Sequence, residues 1–272
     1  MTLLNRRWFI VLFLLASAVS TGAAFAETIE FRGAKFYLYR FDPKVEKLEL
    51  FLPGQTAQRS PTFAQLEKDL NAEGRRLKVA MNAGIYEPGF RPSGLHISEG
   101  KVVVPLNTNG PPPKRSPNDS TPNFFLLPNG VFFIREDGTA AVMSTSFYAQ
   151  ANETPRLATQ SGPLLLANGQ IHPVFNEPSK NRLLRNGVGV DSLGRVVLVS
   201  SVREPRESGL INFWGFAALF RDQLDCQSAL YLDGDISRLY IRGETDDVVP
   251  QSNFFAGILA ITEPIVAHDA DR

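Results

Sequence analysis

The 272-residue chain has a single cysteine and no net charge. Because Cys226 has no partner for an internal disulfide, the fold must depend on its hydrophobic core, which a chain of this length can supply. The 28 basic and 28 acidic residues balance, so no electrostatic feature indicates nucleic acid or a membrane surface as a partner. We therefore expect a protein that binds no nucleic acid.

The signature motifs of several common enzyme classes are also absent. The chain has no G-x-S-x-G elbow, no H-E-x-x-H, no P-loop and no G-x-G-x-x-G that opens a helix. The three histidines, His96, His172 and His268, are far apart and lack the spacing of metal ligands. We expect no cofactor and no metal, and zinc least of all.

The first 26 residues have the pattern of a secretory signal peptide. Arg6-Arg7 precede an apolar run from Trp8 to Val19, and Ala24-Phe25-Ala26 supplies a cleavage site. The arginine pair leaves both the general secretory and the twin-arginine routes open, and an uncleaved anchor is the alternative. We predict a mature domain of residues 27–272, periplasmic or secreted, without an integral membrane span.

Short apolar runs separated by glycine and proline predict many strands and few helices. Phe63, Leu66 and Leu70 have helical spacing, and Asn212 is suited to cap a second amphipathic helix. Pro128-Asn129-Gly130 predicts a hairpin between two neighbouring strands. Without a linker between separate cores, the pattern favours one α+β domain with a mixed β-sheet of many short strands and a few packed helices.

The stretch Leu230–Ile241 reads L-Y-L-D-G-D-I-S-R-L-Y-I. Asp233-Gly234 divides two apolar runs, which predicts two strands joined by a tight turn with positive φ values. A carboxylate at the end of a strand is held by rigid scaffold yet faces solvent, so Asp233 is a candidate catalytic residue. The alternative is a solvated hairpin whose acids have no chemical role.

Aspartate, glutamate, asparagine, arginine and serine at glycine-punctuated strand ends suit carbohydrate or phosphate chemistry. Paired carboxylates serve glycoside cleavage, and arginines with loop amides suit a phosphate. Gly84 permits a close approach of backbone amides to a ligand. The alternative for Arg182 and Arg185 is a solvated basic loop.

Four glycine-containing motifs follow one another along the chain. They are Asn82-Ala83-Gly84-Ile85-Tyr86, Gln160-Ser161-Gly162-Pro163, Arg185-Asn186-Gly187-Val188-Gly189 and Tyr231-Leu232-Asp233-Gly234. In this order they resemble the phosphodiester glycosidase family, specifically an exported bacterial branch of the exopolysaccharide-biosynthesis type. The resemblance covers about Val79 to Ile261. Ala83 stands where the family has glycine, Tyr86 where it has phenylalanine, and Asp235-Ile236 replace glycines.

The resemblance implies that Asp233 is the site aspartate, that Asn82 lies in the pocket and that Arg185 suits a phosphate or sugar acid. It implies that Ser161, Gly162, Gly187, Gly189 and Gly234 shape the pocket. Asp191, Asp235 and Glu87 are candidates for a second carboxylate because they lie near these motifs, and His96 is a weaker candidate for proton transfer. The further predicted substrate-binding residues are Gly84, Tyr86, Arg182, Asn186 and Ser237.

Two functions follow as expectations. The first is a glycosidase that acts on a sugar-phosphodiester or a related envelope or exopolysaccharide linkage, so that the partner is a carbohydrate or sugar phosphate. A phosphodiester leaves as a stable anion, and one carboxylate with arginine and amides could then suffice. The second is a non-catalytic exported protein of glycan binding or envelope polysaccharide assembly, with Tyr86, Phe90 or Trp214 as stacking surfaces.

Overall fold

The computed structural model describes residues 24–52, 62–245, 249 and 254–266. Residues 1–23 of the predicted signal peptide lie outside this range. The first strand includes Phe25 and Ala26, so cleavage after Ala26 would leave its last five residues. The described residues contain no helix long and apolar enough to cross a membrane.

The described residues form short strands and three short α-helices. The strands are β1 (Phe25–Phe31), β2 (Ala34–Phe41), β3 (Leu48–Phe51), β4 (Arg75–Asn82), β5 (Tyr86–Glu87), β6 (Arg91–Pro92), β7 (His96–Ser98), β8 (Lys101–Val104), β9 (Gly130–Ile134), β10 (Ala140–Ser144), β11 (Leu157–Ser161), β12 (Leu164–Ala167), β13 (Gln170–Ile171), β14 (Asn186–Asp191), β15 (Val196–Ser201), β16 (Cys226–Asp233), β17 (Leu239–Ile241) and β18 (Ile258–Pro264). The helices are α1 (Phe63–Ala72), α2 (Thr145–Tyr148) and α3 (Phe213–Ala218), and α3 continues as a π-helical turn, Leu219–Gln223.

Three sheets and one short ribbon organise these strands. The largest sheet has the order β1-β2-β15-β14-β16-β12-β13, the second β10-β9-β11-β7-β8 and the third β17-β4-β18-β3, and β5 pairs with β6. All strand pairs within the named sheets are antiparallel. The predicted mixture of many short strands and few helices in one domain is confirmed.

The main core lies between the seven-stranded sheet and the two smaller sheets. Leu198, Leu230 and Leu232 from the large sheet share a buried apolar cluster with Met81 and Leu259 from the third sheet. On the other face of the large sheet, Ala229 and Tyr231 pack with Phe216 and Phe220 of the α3 region. This alternation along β16 is the period-2 pattern of a strand buried on both faces.

Helix α1 covers the outer face of the third sheet. Its buried residues Phe63, Leu66 and Leu70 have the predicted helical spacing and pack against Leu77 and Tyr240. The N-cap is Thr62, whose hydroxyl accepts a hydrogen bond from the Gln65 amide. Asn212 caps α3 in the same way through the Gly215 amide, which confirms that prediction.

Two predicted hairpins are wrong. Strands β16 and β17 do not pair but belong to different sheets, and Gly234 is absent from the described residues with positive φ. The segment 234–238 instead crosses from one sheet to the other. Around Pro128-Asn129-Gly130, β9 pairs with β10 and β11, while the residues before Pro128 form a 3₁₀ turn, Asn123–Phe125. In both cases burial between sheets outweighs local turn propensity.

Candidate active site

Asp233 lies at the end of β16, where a β-bulge brings it opposite Asn186. Along β14, Asn186 pairs with Asp233 and Gly187 pairs with Tyr231, so Leu232 is left without a partner in this ladder. Such bulges change the direction of a side chain at the end of a strand. Here the irregularity places the carboxylate beside the first residue of β14.

The side chain of Asn82 connects three segments at this point. Its Nδ2 lies 3.4 Å from Oδ2 of Asp233 and donates to it. Its Oδ1 accepts hydrogen bonds from Nδ2 of Asn186 and from the backbone amide of Arg238, both at 2.9 Å. Asn82 is buried at the end of β4, so the predicted pocket asparagine and the candidate catalytic aspartate are neighbours.

The segment after Asp233 folds back onto it. The Gly234 amide donates to Oδ1 of Asp233 at 2.6 Å, and the Ser237 hydroxyl donates to the Asp233 carbonyl at 3.1 Å. A Cβ atom on Gly234 would lie 2.8 Å from the Tyr231 hydroxyl oxygen, so a side chain at this position would collide with that ring. Ser237 is fully buried and therefore positions the turn instead of facing a ligand.

The pKa of Asp233 is raised from 3.8 to about 7. The main cause is loss of hydration, because the carboxyl is enclosed by protein although the residue keeps some exposed surface. The bonds from Gly234 and Asn82 lower the pKa and the nearby charge of Asp235 raises it. A carboxyl group that titrates near neutral pH can both give and accept a proton there.

Three aromatic rings extend from the neighbourhood of Asp233. Burial raises the pKa of Tyr86, and the charge of Asp233 raises it further, which places the phenol near this carboxylate. Tyr86 lies 5.4 Å from Phe90 and Phe90 lies 5.5 Å from Phe254, between ring centroids. Phe90 has a φ of 58°, a costly conformation for a bulky residue that is frequent at functional sites. We call Tyr86, Phe90 and Phe254 the aromatic strip.

Arg185 is near the site but has no exposed surface. Its guanidinium lies 3.6 Å from the ring centroid of Phe213, and its Nε donates to the Ile211 carbonyl at 2.9 Å. Burial lowers its pKa, and the nearby Tyr231 raises it. The guanidinium is enclosed between the large sheet and α3, and its Nη1 is buried without a hydrogen-bond partner. The predicted contact of Arg185 with a phosphate stays a prediction. Arg185 also packs against Tyr231, whose hydroxyl lies over Gly234.

The second motif supports the site from behind. The buried Ser161 hydroxyl donates to the Leu232 carbonyl at 3.2 Å and accepts from the Ile85 amide at 3.4 Å. It therefore connects β11 to β16 and to the segment after Asn82. Gly84 has a φ of 70°, and a Cβ there would lie 3.1 Å from Oγ1 of Thr159. A Cβ on Gly162 would lie 2.7 Å from the Cβ of Asn129.

Gly187 and Gly189 do not line a pocket. A Cβ on Gly187 would meet Phe216 and Leu230, and one on Gly189 would lie 2.8 Å from Cys226 and Phe220. Both glycines face the α3 region across the large sheet. The prediction that they shape the pocket is wrong, and their role is to admit bulky aromatic rings against β14.

The three candidates for a second carboxylate differ in position. Asp191 pairs with Cys226 at the opposite end of β16 from Asp233, and its carboxylate binds Arg40 and Arg195, so this placement is incompatible with the predicted role. Glu87 is exposed and accepts from the Ser93 hydroxyl. Asp235 raises the pKa of Asp233 through its charge, but its carboxylate pairs with Arg206 at 2.7 Å.

Two further predicted residues also have structural partners. The exposed Arg182 donates to the Leu210 carbonyl at 2.8 Å. His96 is fully buried, with Nδ1 3.1 Å from the Gly94 carbonyl, and burial lowers its pKa from 6.5 to about 4. A histidine neutral throughout the physiological range is a poor proton donor.

Sequence reasoning did not single out three arginines beside the site. Arg203 donates to the carbonyls of Asp235 at 2.6 Å and Ser237 at 3.1 Å, Arg206 pairs with Asp235, and the Arg238 amide contacts Asn82. The signal that could have found them is the density of arginine in the loop directly after the buried strand β15 and in the segment that follows Asp233.

The arrangement offers one carboxylate of raised pKa, an asparagine and backbone amides beside it, an aromatic strip and nearby arginines. These groups can stabilise positive charge at a sugar ring and negative charge on a leaving group. Within residues 24–52, 62–245 and 254–266, no group of three or more His, Cys, Asp or Glu side chains could hold a metal ion.

Comparisons with known proteins agree with this picture. A model of the phosphodiester glycosidase family matches residues 75–255. The protein YigE of Escherichia coli K12, described as uncharacterized, is 31% identical over 205 residues, 75% of this chain and 74% of that protein.

Two solved structures share the fold at low sequence identity. The catalytic domain of zebrafish N-acetylglucosamine-1-phosphodiester alpha-N-acetylglucosaminidase, auto-inhibited by its pro-peptide, has a TM-score of 0.56 and 18% identity, over 88% of this chain and 82% of that one. A hypothetical protein from Synechocystis has a TM-score of 0.54 and 16% identity, over 87% of this chain and 61% of that one.

Proposed function

Since the chain belongs to the phosphodiester glycosidase family, we propose that it is an exported glycosidase that cleaves a sugar from a phosphodiester or a related envelope or exopolysaccharide glycan. The observation that carries the proposal is the convergence of Asp233, Asn82 and Asn186 from three strands of two sheets. None of these contacts is needed to close a hairpin, because β16 and β17 do not pair. The family indicates a carbohydrate-type substrate.

Asp233 is the group that we assign to the anomeric centre. In its ionised form the carboxylate stabilises or attacks the oxocarbenium-like carbon as the bond to the leaving oxygen breaks. The Asn82 side-chain amide and the Gly234 backbone amide each donate one hydrogen bond to a different carboxylate oxygen, which orients the carboxylate. The departing phosphate is a stable anion, so the reaction does not require a strong acid at the leaving oxygen.

Release of reducing sugar tests the proposal directly. The protein would be incubated with an N-acetylglucosamine-1-phosphodiester, the substrate class in the name of the zebrafish structure, and with other α-sugar-1-phosphodiesters. A neutral disaccharide serves as the matched control, because it lacks the anionic leaving group. Sugar release from a phosphodiester supports the proposal, whereas no release from any phosphodiester contradicts it.

The aromatic strip favours a second candidate function, glycan binding without hydrolysis. Rings such as Tyr86 and Phe254 bury the apolar face of a sugar well, and Phe254 is 48% exposed. Trp214 is not part of this surface, because Arg32 covers it, 4.5 Å from its ring centroid. Binding to a glycan array with every bound ligand left intact would favour this candidate over the glycosidase.

The proposed site of action is outside the cytoplasm. The apolar run from Trp8 to Val19 and the Ala24-Phe25-Ala26 cleavage site support this. Mass spectrometry of the protein from the periplasm would give Glu27 as the first residue. An intact N-terminus in that fraction would contradict cleavage at this position.

A further inference from the structure

A polar cavity is lined by residues of the large sheet, of the third sheet and of the segments that follow β15 and β16, and Asp233 itself does not line it. Its volume is about 250 Å³, and its lining includes Tyr37 of β2, Ser201 of β15, Leu239 of β17 and the side chains of Arg203 and Arg238. Glu204, exposed on the rim, is the one carboxylate among the lining residues. The walls thus carry more positive than negative charge.

Strand register connects this cavity to the candidate active site. Tyr37 pairs with Ser200, Ser200 pairs with Asn186, and Asn186 pairs with Asp233, so four side chains form one row across four strands. On the opposite sheet, the Arg238 amide binds Oδ1 of Asn82. The side chain of Asn82 therefore connects the backbone of Arg238 to the carboxylate of Asp233 through one hydrogen bond to each.

Arg203 is fixed in place at this cavity. Its Nη1 donates to two carbonyls of the segment after Asp233, those of Asp235 and Ser237. Burial lowers the pKa of Arg203, and the charges of Arg238 and Arg206 lower it further. The charges of Asp235 and Glu204 act in the opposite direction and raise it. Positive groups therefore lie close together beside two carboxylates, and a bound anion would reduce their remaining repulsion.

Arg238 differs from its neighbours because its guanidinium has no protein acceptor. Among the residues that the structure describes, it makes no hydrogen bond or ion pair, whereas Arg206 pairs with Asp235. The side chain of Arg238 is half-buried. Oγ of Ser200 and Oδ1 of Asn186, in the row described above, are fully buried without a partner, and so is Nη1 of Arg185. Unpartnered buried polar atoms are uncommon in native proteins and indicate a missing ligand or water.

We propose that Arg203 and Arg238 form a subsite for the phosphoryl group on the leaving side of the substrate. The inference rests on the proposed function and deepens it by naming the residues that select an anionic leaving group. Two guanidinium groups suit the several oxygens of a phosphate, because each presents donors in a planar fork. Arg185 has no exposed surface and packs against Tyr231, so it does not line this cavity.

Phosphate binding by the whole protein, measured by calorimetry, tests this subsite without requiring turnover. The probes are inorganic phosphate and glycerol phosphate, which carries the phosphoryl group of a leaving alcohol, and the comparison ligand is a neutral sugar. Arg238→Ala is expected to weaken both phosphate affinities at least about tenfold, and Arg238→Lys is expected to retain part of each. The neutral sugar should bind both variants as it binds the wild type.

The matched control is Arg221→Ala. Arg221 is exposed, pairs with its neighbour Asp222 and precedes the opposite end of β16 from Asp233, so its removal should leave phosphate affinity unchanged. Should Arg238→Ala fail to fold, Arg238→Gln is measured in its place. Equal phosphate affinities of the wild type and the folded Arg238 variant overturn the subsite, as does an absence of phosphate binding by the wild type.

The two proposals fail in different ways. Phosphate binding that depends on Arg238, without sugar release from any phosphodiester, supports the phosphoryl subsite and contradicts the proposed glycosidase activity. Sugar release by Arg238→Ala with an unchanged KM for the phosphodiester contradicts the phosphoryl subsite and supports the proposed glycosidase activity.

Discussion

At the scale of single residues, the amide of Asn82 determines how the site is assembled. It is oriented by two donors on its oxygen, Asn186 and the backbone of Arg238, and this fixes its nitrogen toward Asp233. A reversed amide would place its nitrogen against both donors. The hydrogen-bond network thus assigns the orientation of the side chain.

Asn82→Ala is expected to lower both stability and activity. The substitution leaves buried donors without an acceptor, which costs about 1–3 kcal/mol each, so we expect a loss of about 2–4 kcal/mol in the free energy of unfolding. We also expect kcat to fall at least about tenfold as Asp233 loses its orienting contact. Urea unfolding and turnover of a phosphodiester measure the two effects.

Asn212→Ala is the matched control, because the Asn212 side chain also makes three hydrogen bonds, to Gly215, Glu177 and Ser179. It lies at the start of α3, on the other face of the large sheet. It should destabilise the protein without a specific loss of kcat. Equal kcat values for the two folded variants would show that Asn82 has only a structural role.

At the scale of the elements, the two glycines of β14 belong to the packing of the α3 region. Gly189→Ala would bring a methyl group within 2.8 Å of Cys226 and Phe220. Overpacking of this kind costs about 1–3 kcal/mol. We expect that loss in urea unfolding, with kcat/KM of the folded fraction close to that of the wild type.

Gly110→Ala is the control for this substitution, because nothing lies within 4 Å of its added Cβ and its φ is not positive. It should leave the free energy of unfolding within about 0.5 kcal/mol of the wild type. A Gly189→Ala variant with full stability and reduced kcat/KM would contradict the packing role and indicate that Gly189 acts in the active site.

Local pattern predicted the elements better than their pairing. The spacing of Phe63, Leu66 and Leu70 and the cap at Asn212 are confirmed, because helix signals depend on near neighbours. The turn at Asp233-Gly234 was misassigned because its strands pair with partners far away in the chain, β14 and β4. Which distant strand completes a sheet is not encoded in the local alternation.

The same distinction applies to the candidate site. Asp233 and Asn82 meet as the family resemblance implied. Asp191 is a candidate only by its nearness to the motifs in sequence, and β14 carries it to the opposite end of the sheet. Arg185 is implied by the family resemblance, and it lies under the ring of Phe213 with no exposed surface. Arg203 and Arg238 come together only when two sheets meet, so no sequence spacing marks the pair.

At the scale of the whole molecule, two buried groups make opposite contributions to the pH dependence of stability. The pKa of His96 is lowered to about 4, so the unfolded chain binds the extra proton between about pH 6.5 and 4, and stability falls as pH falls. The pKa of Asp233 is raised to about 7. The folded chain then binds the extra proton between about pH 4 and 7, and stability falls as pH rises.

Removal of either group should therefore tilt the stability profile in a known direction. Relative to the wild type, Asp233→Asn is expected to gain about 1–3 kcal/mol from pH 4 to pH 8, and His96→Asn is expected to lose a similar amount over the same range. Urea unfolding at pH 4, 5, 6, 7 and 8 measures both slopes. Parallel profiles for the wild type and the two variants would contradict the shifts of both groups.

The proposed glycosidase activity depends on Asp233 acting at the sugar, and the turnover of Asp233→Asn is its most direct test. The variant keeps the shape of the side chain and the acceptor for the Gly234 amide, so its fold should persist, as circular dichroism would verify. We expect kcat/KM for a sugar-1-phosphodiester to fall at least about 10³-fold, because the amide can neither carry the charge nor form a bond to the anomeric carbon. A folded Asp233→Asn protein that releases sugar at the wild-type rate would contradict the assignment.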